Sequence, residues 1–158
     1  MKHIKQKHET GCGIACIAML ADVPYDSVVK WFWPNGVSSR KKNYRLRWGS
    51  IRMGLEMGGL RYDKMIRPKA FTDLDKLSIV GIAPAPKMKH FHFVLWNPKT
   101  KRIFDPAMSK SMKVADFERE WPMLKIRSAI PLNADQKVGK HFAQRPKKSS
   151  RSVDPLAW

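Results

Sequence analysis

Apolar and polar positions follow a helical period in the first third of the chain. Apolar side chains occupy nearly all sides of residues 12–22, as is typical of a buried helix. A second helix is predicted from Tyr25 to about Phe32, because Pro24 suits a first helical turn. Ser50 is expected to cap a third helix, and Gly58-Gly59 to end it.

Short runs of β-branched and aromatic residues dominate the rest of the chain and predict strands. We expect strands at 60–66, 78–85, 91–96, 102–105 and 125–132, a turn or short helix at 73–77, and an amphipathic helix at 114–121. The segment Asn97-Pro98-Lys99-Thr100-Lys101 would join two strands in an antiparallel hairpin. Helices first and strands second predict an α+β domain with N-terminal helices packed on an antiparallel sheet.

Composition predicts one globular domain. The chain has 158 residues, of which 43% are hydrophobic, and this is enough to bury a core. Polar and basic residues dominate from Asn133, so residues 1–132 should form the domain and 133–158 a flexible basic tail. The first residues lack the apolar region of a secretory signal, and no apolar run is long enough to cross a bilayer. We therefore expect a soluble, cytoplasmic protein without a membrane span.

A net charge of +18 predicts attraction to a polyanion. The basic tail contributes to this charge, and so does a basic loop ahead of the third predicted helix, with Arg40, Lys41, Lys42, Arg45 and Arg47. Tyr44 and Trp48 interleave with these cations and would permit base stacking beside phosphate contacts. A nucleic-acid-binding module is therefore one hypothesis for the function, although no recognised binding motif accompanies these residues.

Cys12, at the start of the first predicted helix, is a candidate nucleophile. The unpaired amides and the positive dipole end of a helix start favour a thiolate over a thiol. Gln6 precedes it with five residues between them, and its amide could donate to an oxyanion near the same sulfur. Cys16 lies one turn further on, where a disulfide to Cys12 would distort the helix, so we expect a reduced, buried cysteine there.

A nucleophilic cysteine needs a base, and the base needs an orienting group. His90 and His92 both lie in a predicted strand, which holds an imidazole rigidly, and either could be the base. If Val94 opposes Asp105 across the hairpin, Asp105 is diagonal to His92 on the same face and within side-chain reach. A register shift of one residue would separate them. Asn97 is an alternative orienting group, although its position is more simply explained by the hairpin turn.

Four motifs occur here in the order found in one family: Gln6, Cys12-Gly13-Ile14-Ala15, His92-Phe93-Val94-Leu95 and Asp105-Pro106. They resemble the motifs of papain-like cysteine peptidases of the bacteriocin-processing, double-glycine-leader type, and a weaker resemblance extends over residues 4–131. The resemblance implies a papain-like fold, a peptide or protein substrate and no cofactor or metal. It assigns Cys12 as nucleophile, His92 as general base and acid, and Asp105 as the group that orients His92. Gln6 would form the oxyanion hole with the Cys12 backbone N–H.

Typical members of that family are fused to membrane spans and an ATPase domain, and this sequence contains neither. The expectation is therefore a stand-alone domain, of a kind that occurs on phages and mobile elements, which would act in the host cytoplasm if phage-encoded. A metal site at the first helix is an alternative, with the ligands His3, His8, Cys12 and Cys16. It would leave the glutamine, the strand histidine and the hairpin aspartate without a role. A protein-binding pseudoenzyme is a further alternative, against which the full set of predicted catalytic residues counts.

Overall fold

The structure, a computed structural model, describes residues 1–38, 40–83 and 91–133. In these ranges the elements are α1 (Cys12–Ala21), α2 (Tyr25–Phe32), α3 (Trp48–Met57), a 3-10 turn (Phe71–Asp73), β1 (Ser78–Ala83), β2 (His92–Asn97), β3 (Arg102–Phe104), β4 (Met112–Lys113), α4 (Val114–Glu120) and β5 (Lys125–Pro131). The strands form one antiparallel sheet in the order β4-β3-β2-β1-β5. The predicted α+β class, with helices packed on an antiparallel sheet, is confirmed.

Pairing between β2 and β3 sets the position of the hairpin residues. Leu95 lies opposite Phe104, and the same register continued by one residue puts Val94 opposite Asp105. This is the register on which the predicted reach of Asp105 to His92 depends. Because the hairpin turn is short, the local sequence fixes this pairing.

Strand β2 lies between two hydrophobic cores. Phe93 and Leu95 face α1, which is buried along its whole length. Val94 and Trp96 face the opposite side, where α4 contributes Phe117. A strand covered on both faces reads as a continuous apolar run rather than an alternating one, and β2 shows this pattern. His92 begins this strand and lies at one end of the sheet.

Three local predictions were wrong and one strand was missed; the turn or short helix expected at 73–77 is a 3-10 turn at Phe71–Asp73. Residues 60–66 form no regular strand and make only two isolated bridges to the β5 side of the sheet, at Tyr62 and Ile66. Pro131 has no N–H to donate, so a continuous ladder along this edge is interrupted. Ser50 does not cap α3, because the helix begins at Trp48 and Ser50 is buried in its first turn. The two-residue strand β4 was missed because it is too short to show a period.

The remaining expectations concern the chain ends and the membrane. Within the described ranges, no single helix has the length and apolar character to cross a bilayer; α1 and α2 meet that test only as a pair bent by 114°. His90 lies outside the described residues, and so does the predicted tail 133–158 except for Asn133, whose backbone N–H donates to the Arg61 carbonyl.

Candidate active site

Cys12 is the first residue of α1, and its side chain is close to the start of β2. The Phe93 backbone N–H donates to the Cys12 sulfur at 3.5 Å, and Cys12 is 8% exposed. Among the described residues, the Cys12 backbone N–H has no backbone acceptor, as expected at a helix start. The sulfur therefore lies beside an unpaired amide, at the positive end of the α1 dipole.

His92 and Asp105 form a close pair at the same end of the sheet. The distance between His92 Nε2 and Asp105 Oδ1 is 2.6 Å, and the Asp105 side chain is only 1% exposed. Asp105 Oδ1 also accepts a hydrogen bond from the Ala107 backbone N–H at 2.9 Å, which fixes the carboxylate after β3. Since Nε2 is bonded to Asp105, Nδ1 is the ring nitrogen left to face Cys12.

The protonation of His92 depends on both neighbours. Burial by itself lowers the pKa of His92, but hydrogen bonds and electrostatic interactions with Asp105 and Cys12 outweigh it and raise the pKa to about 10. The ring therefore carries its second proton at neutral pH. The result is an imidazolium held between a buried carboxylate and a cysteine sulfur.

Gln6 approaches the same region, but its amide is engaged with the backbone. Gln6 Nε2 donates to the carbonyl oxygens of His8 at 2.9 Å and Glu9 at 2.8 Å, so both of its N–H groups bind the loop leading to Cys12. An oxyanion would have to replace one of these acceptors. The role of Gln6 as oxyanion donor stays a prediction, and its present contacts show a second use, which is to shape the approach to the nucleophile.

The N-terminal segment connects this loop to the Asp105 turn, which sequence reasoning did not predict. The Gln6 backbone N–H donates to the Pro106 carbonyl at 2.8 Å, and His3 Nε2 donates to the Met108 carbonyl at 2.8 Å. The His3 ring also stacks on Phe104 with centroids 5.9 Å apart. No sequence signal could reveal these contacts, since they join positions about 100 residues apart.

His8 and Tyr25 support the loop immediately before α1. His8 Nδ1 is 3.0 Å from the Tyr25 hydroxyl, and the His8 ring stacks on Tyr44 with centroids 3.7 Å apart. Gly11 leaves the space that the Tyr25 hydroxyl fills, because a Cβ at Gly11 would lie 1.9 Å from that oxygen. Close packing against Tyr25 therefore requires glycine at this position.

Replacing Gly11 with alanine is expected to lower the free energy of unfolding by about 1–3 kcal/mol, because the new methyl overlaps the Tyr25 hydroxyl. The double variant Gly11→Ala/Tyr25→Phe should recover part of this loss, since it removes the overlapping oxygen. Urea unfolding of both proteins, with Tyr25→Phe as the reference, measures the effect. A Gly11→Ala protein as stable as the parent would contradict the packing described here.

The sequence also offered alternatives for the orienting group, for the base and for a metal site. Asn97 lies at the far end of β2 from His92, and its side chain accepts the Lys99 backbone N–H at 3.0 Å, so it is a turn residue and not the orienting group. His90, the alternative base, lies outside the described residues. Within the described ranges, no group of three or more His, Cys, Asp or Glu residues is placed to hold a metal ion. His3 and His8, two of the ligands proposed for a metal, have the contacts given above.

Cys16 is separate from this chemistry. It is fully buried in the core, and burial, followed by the charges of Cys12 and Asp105, raises the pKa of its thiol well above the usual value. Both cysteines are free. Cys16 is therefore a neutral core residue, as the sequence predicted.

The aromatic rings of the basic loop are less available for nucleic-acid binding than the sequence indicates. Its cations are largely exposed, but the Tyr44 ring stacks on His8 and the Trp48 ring packs edge-to-face on Phe93 with centroids 4.9 Å apart. Both rings are half-buried, and these contacts reduce the ring surface left for base stacking. What the loop retains is the capacity for phosphate contacts.

No protein-family model matches the chain, and no curated protein matches its sequence. The function is therefore inferred from the geometry of the site and from the four sequence motifs that contain its residues. The feature of greatest weight is the convergence of Cys12, His92 and Asp105 at one end of the sheet.

Proposed function

We propose that this chain is a papain-like cysteine peptidase similar to the bacteriocin-processing type, with Cys12, His92 and Asp105 as its triad. One observation carries the proposal: the His92 ring is hydrogen-bonded to the buried Asp105 carboxylate at 2.6 Å, and Cys12 also raises the pKa of the same ring. A cysteine with only a structural role at a helix start does not require a buried histidine–aspartate pair beside it. The packing of α1 against β2 adds support, because a papain-like fold joins a nucleophile helix to a sheet that carries the base.

The first half-reaction would use the thiolate–imidazolium pair directly. The Cys12 sulfur attacks the carbonyl carbon of the scissile peptide bond, and the carbonyl electrons move to the oxygen. That oxyanion lies near the start of α1, where the Cys12 backbone N–H would be one donor and Gln6 a second after its amide changes partner. The carbon–nitrogen bond then breaks as His92 gives its proton to the leaving amine, which leaves a thioester on Cys12.

The second half-reaction releases the acid product. Neutral His92 takes a proton from water, and the oxygen of that water adds to the thioester carbonyl. The carbon–sulfur bond breaks and the thiolate–imidazolium pair is restored. Asp105 keeps Nε2 bonded throughout, so Nδ1 remains the nitrogen that exchanges the proton.

The proposal is tested by hydrolysis of a library of internally quenched peptides, with the new chain ends identified by mass spectrometry. We expect cleavage that stops when one equivalent of iodoacetamide has reacted, with the modification located on Cys12. Alkylation of Cys12 no faster than that of a cysteine in an unstructured peptide, with no cleavage in the library, would contradict the proposal.

Hydrolysis should decline as the pH rises through about 10, because His92 must be protonated to release the amine and its pKa is raised to about 10. The variant Asp105→Asn removes a negative charge that raises this pKa, so the decline should move to lower pH. The pH profile of kcat/KM for both proteins measures the shift. As a control, Cys12 alkylation should not decline over the same alkaline range, since it requires the thiolate alone. A decline centred near pH 6.5 in the parent protein would contradict the assignment.

A further inference from the structure

A cleft of about 920 Å³ opens at the end of the sheet that contains His92. His92 pairs with Ile82 on β1, and Ile82 pairs in turn with Ile126 on β5, which lines the cleft. The apolar part of the lining also comes from other side chains, among them Trp48, Met65, Phe91, Trp121 and Leu124. The cleft therefore lies at the same end of the sheet as the candidate base, whose chain neighbour Phe91 lines it, and it extends along the start of β5.

Trp48 links the cleft to the candidate nucleophile. Its ring packs edge-to-face on Phe93, whose backbone N–H bonds the Cys12 sulfur, and its centroid is 6.3 Å from that of Phe91. Gly81 makes this position possible, since a Cβ there would lie 2.7 Å from Trp48 Cζ2. A polypeptide bound at Cys12 and extended past Trp48 would enter the cleft.

The cleft lining has an excess of positive charge. Four cations line it, Arg67, Lys69, Lys125 and Arg127, against one carboxylate, Glu118. All four cations are exposed, and none forms an ion pair with a described residue. A concave surface with an excess of one charge attracts ligands of the opposite charge.

We propose that this cleft binds an acidic segment of the polypeptide substrate, with apolar side chains on its floor and carboxylates toward the four cations. This inference rests on the proposed peptidase function. His92 and Ile126 are two strand spacings apart, about 10 Å, and an extended chain advances about 3.3 Å per residue. The acidic residues should therefore begin about three positions from the scissile bond. A lining that combines apolar side chains with cations suits an acidic peptide that also carries apolar residues.

Binding is measured by fluorescence anisotropy on the 158-residue chain with the Cys12→Ala substitution, so that cleavage cannot affect the result. The probes are a labelled 12-residue peptide of alternating glutamate and leucine, its lysine–leucine counterpart, and a single-stranded 12-nucleotide DNA. The cleft variant is Arg67→Glu/Arg127→Glu. The matched control is Lys30→Glu/Lys99→Glu, which makes the same charge change at exposed positions that do not line the cleft.

The acidic peptide should bind more tightly than the basic one, with a Kd that rises about tenfold in the cleft variant and less than twofold in the control. The inference would be overturned if the affinity for the acidic peptide fell equally in both variants. It would also be overturned if only the affinity for the DNA fell tenfold in the cleft variant. Wild-type hydrolysis separates it from the proposed function. If the rate of cleavage depends neither on acidic residues in the substrate nor on the cleft substitutions, the cleft inference is wrong and the peptidase proposal stands. If the acidic peptide binds the cleft but no peptide is cleaved, the peptidase proposal is wrong.

Discussion

Replacing Cys12 with alanine should lower kcat/KM for peptide hydrolysis by at least about 10³-fold and change the free energy of unfolding by only about 1 kcal/mol. The large kinetic effect is expected because both half-reactions of the proposed mechanism pass through a covalent bond between this sulfur and the substrate carbonyl carbon. The small effect on stability is expected because alanine suits the start of α1 and the loss of one sulfur atom leaves only a small cavity. Steady-state hydrolysis and urea unfolding of the same preparation measure the two effects.

Cys16 provides the matched control, since the chain has two cysteines, both free. Cys16→Ala should retain hydrolysis and alkylation at Cys12, with a modest loss of stability from the small cavity it leaves in the core. If Cys12→Ala retained hydrolysis, or if alkylation followed Cys16 instead, Cys12 would not be the nucleophile.

Replacing His92 with alanine should abolish hydrolysis and also destabilise the fold, by about 3–5 kcal/mol or roughly 10–20 °C in Tm. The physical reason is Asp105, whose side chain is almost completely buried and whose charge is compensated by the His92 ring. Removing the ring leaves a buried carboxylate with a single hydrogen bond, from Ala107. Thermal and urea unfolding at neutral pH measure the loss.

The double variant His92→Ala/Asp105→Ala distinguishes a charge effect from a packing effect. It removes both partners, so it should be more stable than His92→Ala alone although it lacks two side chains. A double variant whose loss equals the sum of the two single losses would show that the pair is not energetically coupled, and the site would then lose its main support.

The same pair makes stability depend on pH. The pKa of His92 is raised above the usual value of about 6.5 to about 10 in the fold, so the folded state binds the proton more tightly than the unfolded chain. The contribution of His92 protonation to stability is therefore fully present below pH 6.5 and is lost as the pH rises through 10. His92→Ala should remove this alkaline loss.

The parts of the site that the sequence could predict are those set by local structure. A cysteine at the start of an apolar run places its sulfur at a helix N-terminus, whatever the rest of the fold. The four-residue turn 98–101 fixes the hairpin register, and with it the diagonal between His92 and Asp105. Both predictions need only neighbouring residues.

The parts that could not be predicted depend on docking between distant segments. The contact of His3 with Met108 joins positions 105 apart, and neither residue carries a signal for it. The amide of Gln6 is near Cys12 as expected, but the local loop geometry decides that it bonds the His8 and Glu9 carbonyls. Residues 60–66 have the composition of a strand, yet Pro131 on the neighbouring edge cannot donate to them.

The positions of the proposed triad residues along the chain have a consequence for synthesis on the ribosome. Cys12 lies on the first helix, and His92 follows it by 80 residues. At about 5–20 residues per second, roughly 4–16 s of translation separate the nucleophile from its base. Until β2 and β3 have emerged and paired, the nascent chain carries an isolated thiol. A peptidase arranged in this way cannot cut polypeptides near the exit tunnel, its own growing chain included, until its fold is nearly complete.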